Sequence, residues 1–540
     1  MDNIITDEDF MPQANFLRHI DDWIEYLCLL IGRMKEPREK VKYQRQLRWV
    51  LGFRQGTNSS LIHNNIIAAL YANVGFDTAR LIENSNTYIP IQDCYKKDPQ
   101  GNAFKQIEKA MACESLFLLQ GPPGTGKTTA IVEVVLQTLK LNPSARILIT
   151  SETHVAVDNA LDRLSREFKD ESFSIMMRYQ KFSDSTELEN PLVKNVEAST
   201  LHDKVWNTAL ERTPILTERL WQRLAKLENR EGVPRWLARN LSDTHQVIGV
   251  TCNQIEHLID EFSQSFDLAI IDECSKATMP EWMMAMSVAQ KCLLVGDHKQ
   301  LPPTFCSEES EALSELEGYQ ERLIRDGVID RMFSNAPQEI KGTLLTQFRM
   351  QPNIGDFISK EFYNGELIHY QQQTVDPTLN FGWLTYETQK LFPKPHLSND
   401  KKILDNKIEV EIIKQKLTLL SKEHSSSKNK TPLDIAIITP YKAQKSALKK
   451  MVQKLNFNNM IIEIDTVDAF QGKEASVVFF SFVRNNGSAQ FYGDARRLNV
   501  ALSRGKSHLY LVGHYQYLGK QKIQALRSLS NLSVLSSVEC

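Results

Sequence analysis

The sequence predicts an α/β fold with two parallel sheets in tandem, on three observations. Short apolar strands alternate with helical stretches from about Asp98: SLFLLQ, ARILIT, DLAIIDE and KCLLVGD. A second alternating set follows Gly342: DIAIITP, MIIEIDTVDAF, SVVFFSFV and HLYLVG. Strands apolar throughout, separated by helices, belong to parallel sheets covered on both faces. The third observation is that a glycine-rich phosphate loop occurs once, between the first strand and its helix.

Ahead of the first set, residues 1–95 read as a helical accessory region. Phe16–Met34 and Leu61–Ala72 carry apolar residues at helical spacing, without a catalytic pattern. A first α/β domain over 96–340 and a second over 341–540 follow. A charged, Trp-containing helical stretch near 201–240 reads as an insertion in the first. The segment EHSSSKNK, 423–430, reads as an exposed loop.

Composition narrows the class. With 64 basic and 66 acidic residues, net charge neither requires nor forbids a nucleic-acid partner, because a basic groove can sit on a neutral protein. The eight cysteines form no CxxC pair, which argues against zinc and for reduced thiols in a cytoplasmic protein. The N-terminus MDNIITDEDF is acidic and lacks a signal-peptide pattern. No apolar run approaches the roughly 20 residues of a membrane span.

Gly121-Pro122-Pro123-Gly124-Thr125-Gly126-Lys127-Thr128-Thr129 satisfies the phosphate-loop pattern in full. A strand, LFLLQ, runs in, and a helix, TTAIVEVVLQTLK, runs out. Backbone N–H groups and the helix N-terminus suit phosphates. Lys127 suits the terminal phosphates and Thr128 a magnesium ion. The strand LAII ends in Asp272-Glu273, a carboxylate for the metal followed by one that can orient water.

Three further blocks point to a motor. VGDHKQLPP ends a strand in a polar turn and offers Gln300 as a sensor of the γ-phosphate. LTQFRMQP offers Arg349 as a charge that reaches the nucleotide from the second domain. DARRLNVALSRGK, 494–506, reads as an amphipathic helix with several basic residues, among them Arg504 as an arginine finger. A finger of this kind contributes roughly 10³–10⁵ in rate.

These blocks, in this order, resemble the motifs of superfamily 1 helicases of subclass B, in the group of the nonsense-mediated-decay helicase, senataxin and the immunoglobulin-mu-binding helicase. The others are SETHVAVDNAL, VTCNQI, IIDECSKA, ITPYKAQ and TVDAFQGKEASVVFFSFVR. The likeness spans roughly residues 96–515. It implies two tandem RecA-like domains, a stalk-like role for the helical insertion, and an ATP- and Mg²⁺-dependent enzyme acting on single-stranded RNA or DNA. It further implies phosphate and magnesium binding by the loop Gly121–Thr129, catalysis by Lys127, Asp272, Glu273, Gln300, Arg349 and Arg504, an adenine stack on Phe348, and a ribose or phosphate contact from Glu474. Nucleic-acid contacts fall on Thr153, His154, Thr251, Thr439, Pro440, Tyr441, Thr466 and Asp468. Hydroxyls at such positions hold phosphates without reading sequence.

Departures from the resembled pattern bear on mechanism. Cys274 and Lys276 stand in the acidic block, and the adenine-reading glutamine lacks a counterpart at its expected spacing, Gln100 and Gln106 flanking the place. No segment encodes the β-barrel that many relatives insert. Two functions remain: a 5′-to-3′ helicase or translocase, and an ATP-switched clamp that binds nucleic acid without unwinding. Residues 1–95 are also a candidate surface for a protein partner.

Overall fold

The computed structural model describes residues 12–55, 88–98, 100–179, 191–197, 200–201, 243–258, 266–388, 396–398, 401–426, 431–455, 457–487 and 489–539. The insertion expected near 201–240 lies outside them except for Leu201, and the segment Leu61–Ala72 lies wholly outside. Contacts divide the chain into two compact units. The first comprises Met1–Gly121, Gly126–His298 and Pro302–Leu344; the second comprises Pro122–Thr125, Lys299–Leu301 and Leu345–Cys540.

The first unit is a parallel α/β sheet. Its strands are β1 (Leu116–Gln120), β2 (Ile147–Ser151), β3 (Met176–Arg178), β4 (Val247–Thr251), β5 (Phe266–Asp272), β6 (Ala289–Gly296) and β7 (Lys341–Thr343). They lie in the order β3-β4-β2-β5-β6-β1-β7. β1, β2 and β4 are buried along their whole length, which is why their sequences show no polar alternation. β7 pairs with β1, so residues 341–343 belong to the first sheet.

Two N-terminal helices, Pro12–Arg33 and Pro37–Gln55, join the same core. Phe16, Ile20, Trp23, Leu27 and Leu30 recur at helical spacing and are all buried. Polar ties fix the docking: Tyr43 Oη donates to Glu309 Oε1 (2.7 Å), and Gln320 Nε2 donates to Asp22 Oδ1 (2.7 Å). The described part of the accessory region is thus a layer of the first unit's core.

The second unit opens with a short parallel pair, β8 (Thr346–Gln347) and β9 (Ile368–His369). Then come β10 (Phe381–Glu387), a small antiparallel pair of β11 (His396–Ser398) and β12 (Lys401–Ile403), β13 (Leu433–Thr439), β14 (Met460–Thr466), β15 (Ala475–Ser481), β16 (Gly505–Val512) and β17 (Val534–Glu539). Six of these form a second parallel sheet in the order β14-β13-β15-β16-β10-β17. Trp383 is fully buried in it and donates its indole N–H to Leu529 O (2.7 Å), so the ring's one polar atom is satisfied. Two parallel-sheet α/β domains of the RecA-like kind thus follow one another along the chain.

Two local expectations change. The basic helix spans only Ala495–Leu502; Ser503 and Arg504 form a turn, and Gly505 begins β16. A Cβ at Gly505 would stand 2.8 Å from His508 O, so the irregular start of β16 requires glycine. The segment 423–430 begins as helix, because Lys407–Ser426 reaches into it; residues 427–430 lie outside the described ones. Ser425 and Ser426 donate to the carbonyls four residues back, which absorbs their hydroxyls inside the helix. Among the described residues, no helix is long and apolar enough to cross a membrane.

Candidate active site

Parallel pairing brings the chemistry of the first sheet to one edge. Gln120 at the end of β1 is level with Gly296 at the end of β6; Ser151 at the end of β2 is level with Thr251 and with Asp272. Loops leaving the carboxyl ends of parallel strands are where such sheets bind ligands. The phosphate loop leaves β1 there. Gly124 (φ 74°) and Gly126 (φ 84°) take left-handed backbone that side chains disfavour, and Gly126 caps the helix Lys127–Leu141. That helix start directs N–H groups and a favourable dipole outward.

Lys127 Nζ donates to Gly121 O (2.9 Å) and lies 3.9 Å from Glu273 Oε1. Asp272 is buried and its Oδ1 accepts the Glu273 N–H (2.8 Å). Burial first, and the neighbouring Glu273 second, push the Asp272 carboxyl upward, against the pull of Lys127. Glu273 itself sits at φ 51°, and its Oε2 is buried with no hydrogen-bond partner among the described residues. A strained carboxylate with a spare acceptor, beside a lysine, is suited to hold and polarise a water.

The Cys274 departure has a packing reason. Cys274 N–H donates to Val295 O (3.0 Å), folding the acidic turn over the end of β6. A Cβ at Gly296 would come within 2.8 Å of Cys274 Sγ. The thiol is buried, and burial raises its pKa, so it acts as filling and not as a nucleophile.

Magnesium suits this donor set. Thr128 and Asp272 offer hard oxygen donors, and a cation beside Asp272 would offset the burial that disfavours its charge. Among the described residues no cluster of three or more His, Cys, Asp or Glu could hold a metal alone.

The second unit gathers the other candidates. Arg349 Nε donates to Glu474 Oε2 (2.6 Å) and its Nη1 to Ser503 O (3.1 Å). Lys506 Nζ also meets Glu474 (2.8 Å). Burial opposes ionisation of Glu474, but Arg349 and Lys506 together hold its carboxyl below the ordinary range. Arg504 is buried, donating from Nε to Val500 O (2.7 Å) and from Nη2 to Gln300 Oε1 (3.1 Å). Phe348 is 44% exposed and packs on Tyr370, 70% exposed, with ring centroids 4.9 Å apart.

The candidate nucleic-acid residues divide by exposure. Thr153 caps the helix His154–Phe168, accepting from Ala156 N–H (3.4 Å), and His154 meets Arg178 (2.9 Å). Thr251 and Thr439 are buried, and Thr439 Oγ1 has no hydrogen-bond partner among the described residues. Thr439 and Thr466 stand level at the ends of β13 and β14. Tyr441 is partly exposed and accepts from Arg484 Nε (2.7 Å). Asp468 stands 3.9 Å from Arg497.

Several functional neighbours carry no local signal in the sequence. Arg163 Nη1 donates to Thr129 Oγ1 (2.6 Å), and Gln92 Nε2 to Thr129 O (2.8 Å). Fully buried Glu133 accepts the N–H groups of Ile91 (2.7 Å) and Gln92 (2.9 Å), strapping that segment to the phosphate-loop helix. Arg178, also fully buried, joins Asp158 (2.6 Å) and His154 behind the block SETHVAVDNAL.

Residues 98–209 and 212–308 match one family described as an AAA domain, and residues 324–516 match a second of the same description. An uncharacterized ATP-dependent helicase of Methanocaldococcus jannaschii, MJ0104, is 26% identical over 79% of this chain and 70% of its own length. DNA polymerase alpha-associated DNA helicase A of Saccharomyces cerevisiae is 28% identical over 83% of this chain and 70% of its own. A regulator of nonsense transcripts 1 homolog of Neurospora crassa is 27% identical over 77% of this chain, which spans only 37% of it.

Proposed function

We propose that this chain, which belongs to the superfamily 1 helicases of the nonsense-mediated-decay helicase and senataxin-like group, is a 5′-to-3′ translocase that moves on single-stranded RNA or DNA. It is an ATP-hydrolysing, nucleic-acid-dependent enzyme. The observation that carries the reading is the triad of Lys127, Asp272 and Glu273 at one sheet edge, with Glu273 Oε2 buried and unspent.

The loop Gly121–Thr129 cradles the phosphates through its N–H groups, and Lys127 neutralises the terminal ones. Thr128 and Asp272 would hold Mg²⁺, which would neutralise charge developing on the phosphates. Glu273 orients the attacking water. Gln300, Arg349 and Arg504 respond to the γ-phosphate, Glu474 keeps Arg349 oriented, and Phe348 stacks on the base. The division we propose is an accessory region 1–95, whose described part is a layer of the first unit's core, an ATPase domain that runs to Leu344 and not to residue 340, because β7 pairs with β1, and a second domain from Leu345. The accessory region is a candidate for protein docking.

Strand displacement on partial duplexes with a 5′ or a 3′ single-stranded tail tests direction and unwinding together. Displacement from the 5′-tailed substrate alone is the expected result. ATP hydrolysis stimulated by single strands with no displacement from either would leave an ATP-switched clamp instead.

A further inference from the structure

The second sheet holds a strained residue that the nucleotide chemistry does not use. Val483 follows β15 at φ 73°, a region in which a β-branched residue is an outlier. Such a conformation persists only where its surroundings over-determine it. Buried Glu409 does this: Oε1 and Oε2 each stand 2.9 Å from the Val483 N–H, and Oε2 accepts from Ser481 Oγ (2.6 Å). Asn406 Nδ2 donates to Val483 O (2.9 Å), and Gln444 ties Asn406 to Ser481. Glu409, Asn406, Gln444 and Ser481 are all fully buried.

The turn so fixed delivers Arg484 to the surface beside Tyr441. Its Nε donates to Tyr441 Oη (2.7 Å), with the guanidinium 5.7 Å from the ring centroid. Tyr441 neighbours Phe491, centroids 6.2 Å apart, and Arg497 lies 4.9 Å over Phe491. All four side chains are partly exposed. Arginines alternating with aromatic rings along one edge match the chemistry of a single-strand platform, in which rings stack on bases and guanidinium groups meet phosphates.

We propose that Arg484, Tyr441, Phe491 and Arg497 form a stacking platform for the bases and phosphodiester backbone of a single strand, aimed by the buried clamp of Glu409 and Asn406 on Val483. This rests on the nucleic-acid reading above. Glu409 is a positioning residue; it touches no strand itself. The platform selects for unpaired bases, because only those expose a face for stacking.

The test is equilibrium binding of fluorescent oligo-dT and oligo-U by anisotropy across a salt series, with the full chain. Arg484→Ala weakens binding roughly tenfold and lowers the slope of log affinity against log salt by about 0.7, one phosphate on a single strand. Phe491→Ala weakens binding roughly tenfold with the slope unchanged, since stacking releases no counterion. Glu409→Ala, which removes both acceptors of the Val483 N–H, reproduces the Arg484→Ala slope, and adding Val483→Gly, which tolerates the left-handed backbone unaided, restores it. Wild-type affinity and slope in both Arg484→Ala and Phe491→Ala overturn the platform. A wild-type slope in Glu409→Ala overturns the clamp. Failure of the wild-type chain to bind either oligonucleotide defeats the nucleic-acid reading itself.

Discussion

The acidic turn after β5 and the turn after β15 are both strained, and they are strained differently. Glu273 (φ 51°) carries the strain on the residue proposed to act, and leaves a buried carboxylate oxygen unpaired. Val483 (φ 73°) carries it one residue before the residue proposed to act, inside a network where both Glu409 oxygens are engaged. Unpaired buried acceptors are costly, so they survive where a ligand or water supplies the partner. A fully satisfied polar network is scaffolding that fixes one conformation. The contrast separates a chemical site from an aiming device.

Breaking the first region should produce the largest effects. Lys127→Ala abolishes ATP hydrolysis in a steady-state phosphate-release assay; ordinary turnover in that variant would remove the loop from the active site. Arg504→Ala lowers turnover by roughly 10³-fold while nucleotide binding, read by a fluorescent ATP analogue, persists. Unchanged turnover would move the finger to Arg349.

The comparison sharpens at the two strained positions. At ordinary sites alanine is more stable than glycine, but at positive φ the order reverses by about 1 kcal/mol. Glu273→Gly should therefore melt higher than Glu273→Ala, and Val483→Gly higher than Val483→Ala. Both Glu273 variants should lose roughly 10²-fold or more in turnover, as expected for a lost general base. An Ala variant more stable than its Gly counterpart at either position would show that the strain is absent there.

The smallest effect is a pH dependence in the second region. Burial pushes the Glu409 carboxyl up to about 8, against the donors of Ser481 and Val483. The folded chain then holds a proton that the unfolded chain has released above about 4.5. Stability from this group is therefore present at low pH and lost as pH rises through about 8. Glu409→Gln should flatten the fall in melting temperature between about pH 5 and 8; an identical profile in wild type and variant would contradict it.

Much of the architecture was legible because it is written locally. The strands LFLLQ, ILITS and FDLAIID are contiguous apolar runs, and each became a strand ending at the site edge. The phosphate loop and the Asp272–Glu273 pair were legible for the same reason, as short patterns at strand ends. β7 was not, since KGT has three residues and owes its place to pairing with β1. Arg163, Gln92 and Glu409 were also hidden. Their partners lie 34, 37 and 74 residues away, so only the fold brings them together.

The most direct test of the account is ATP hydrolysis by the wild-type chain, measured with no nucleic acid, with oligo-dT and with oligo-U of matched length. The account predicts that at least one single strand stimulates turnover well above the basal rate, and that Lys127→Ala removes both the basal and the stimulated activity. Equal rates with and without either strand would contradict it.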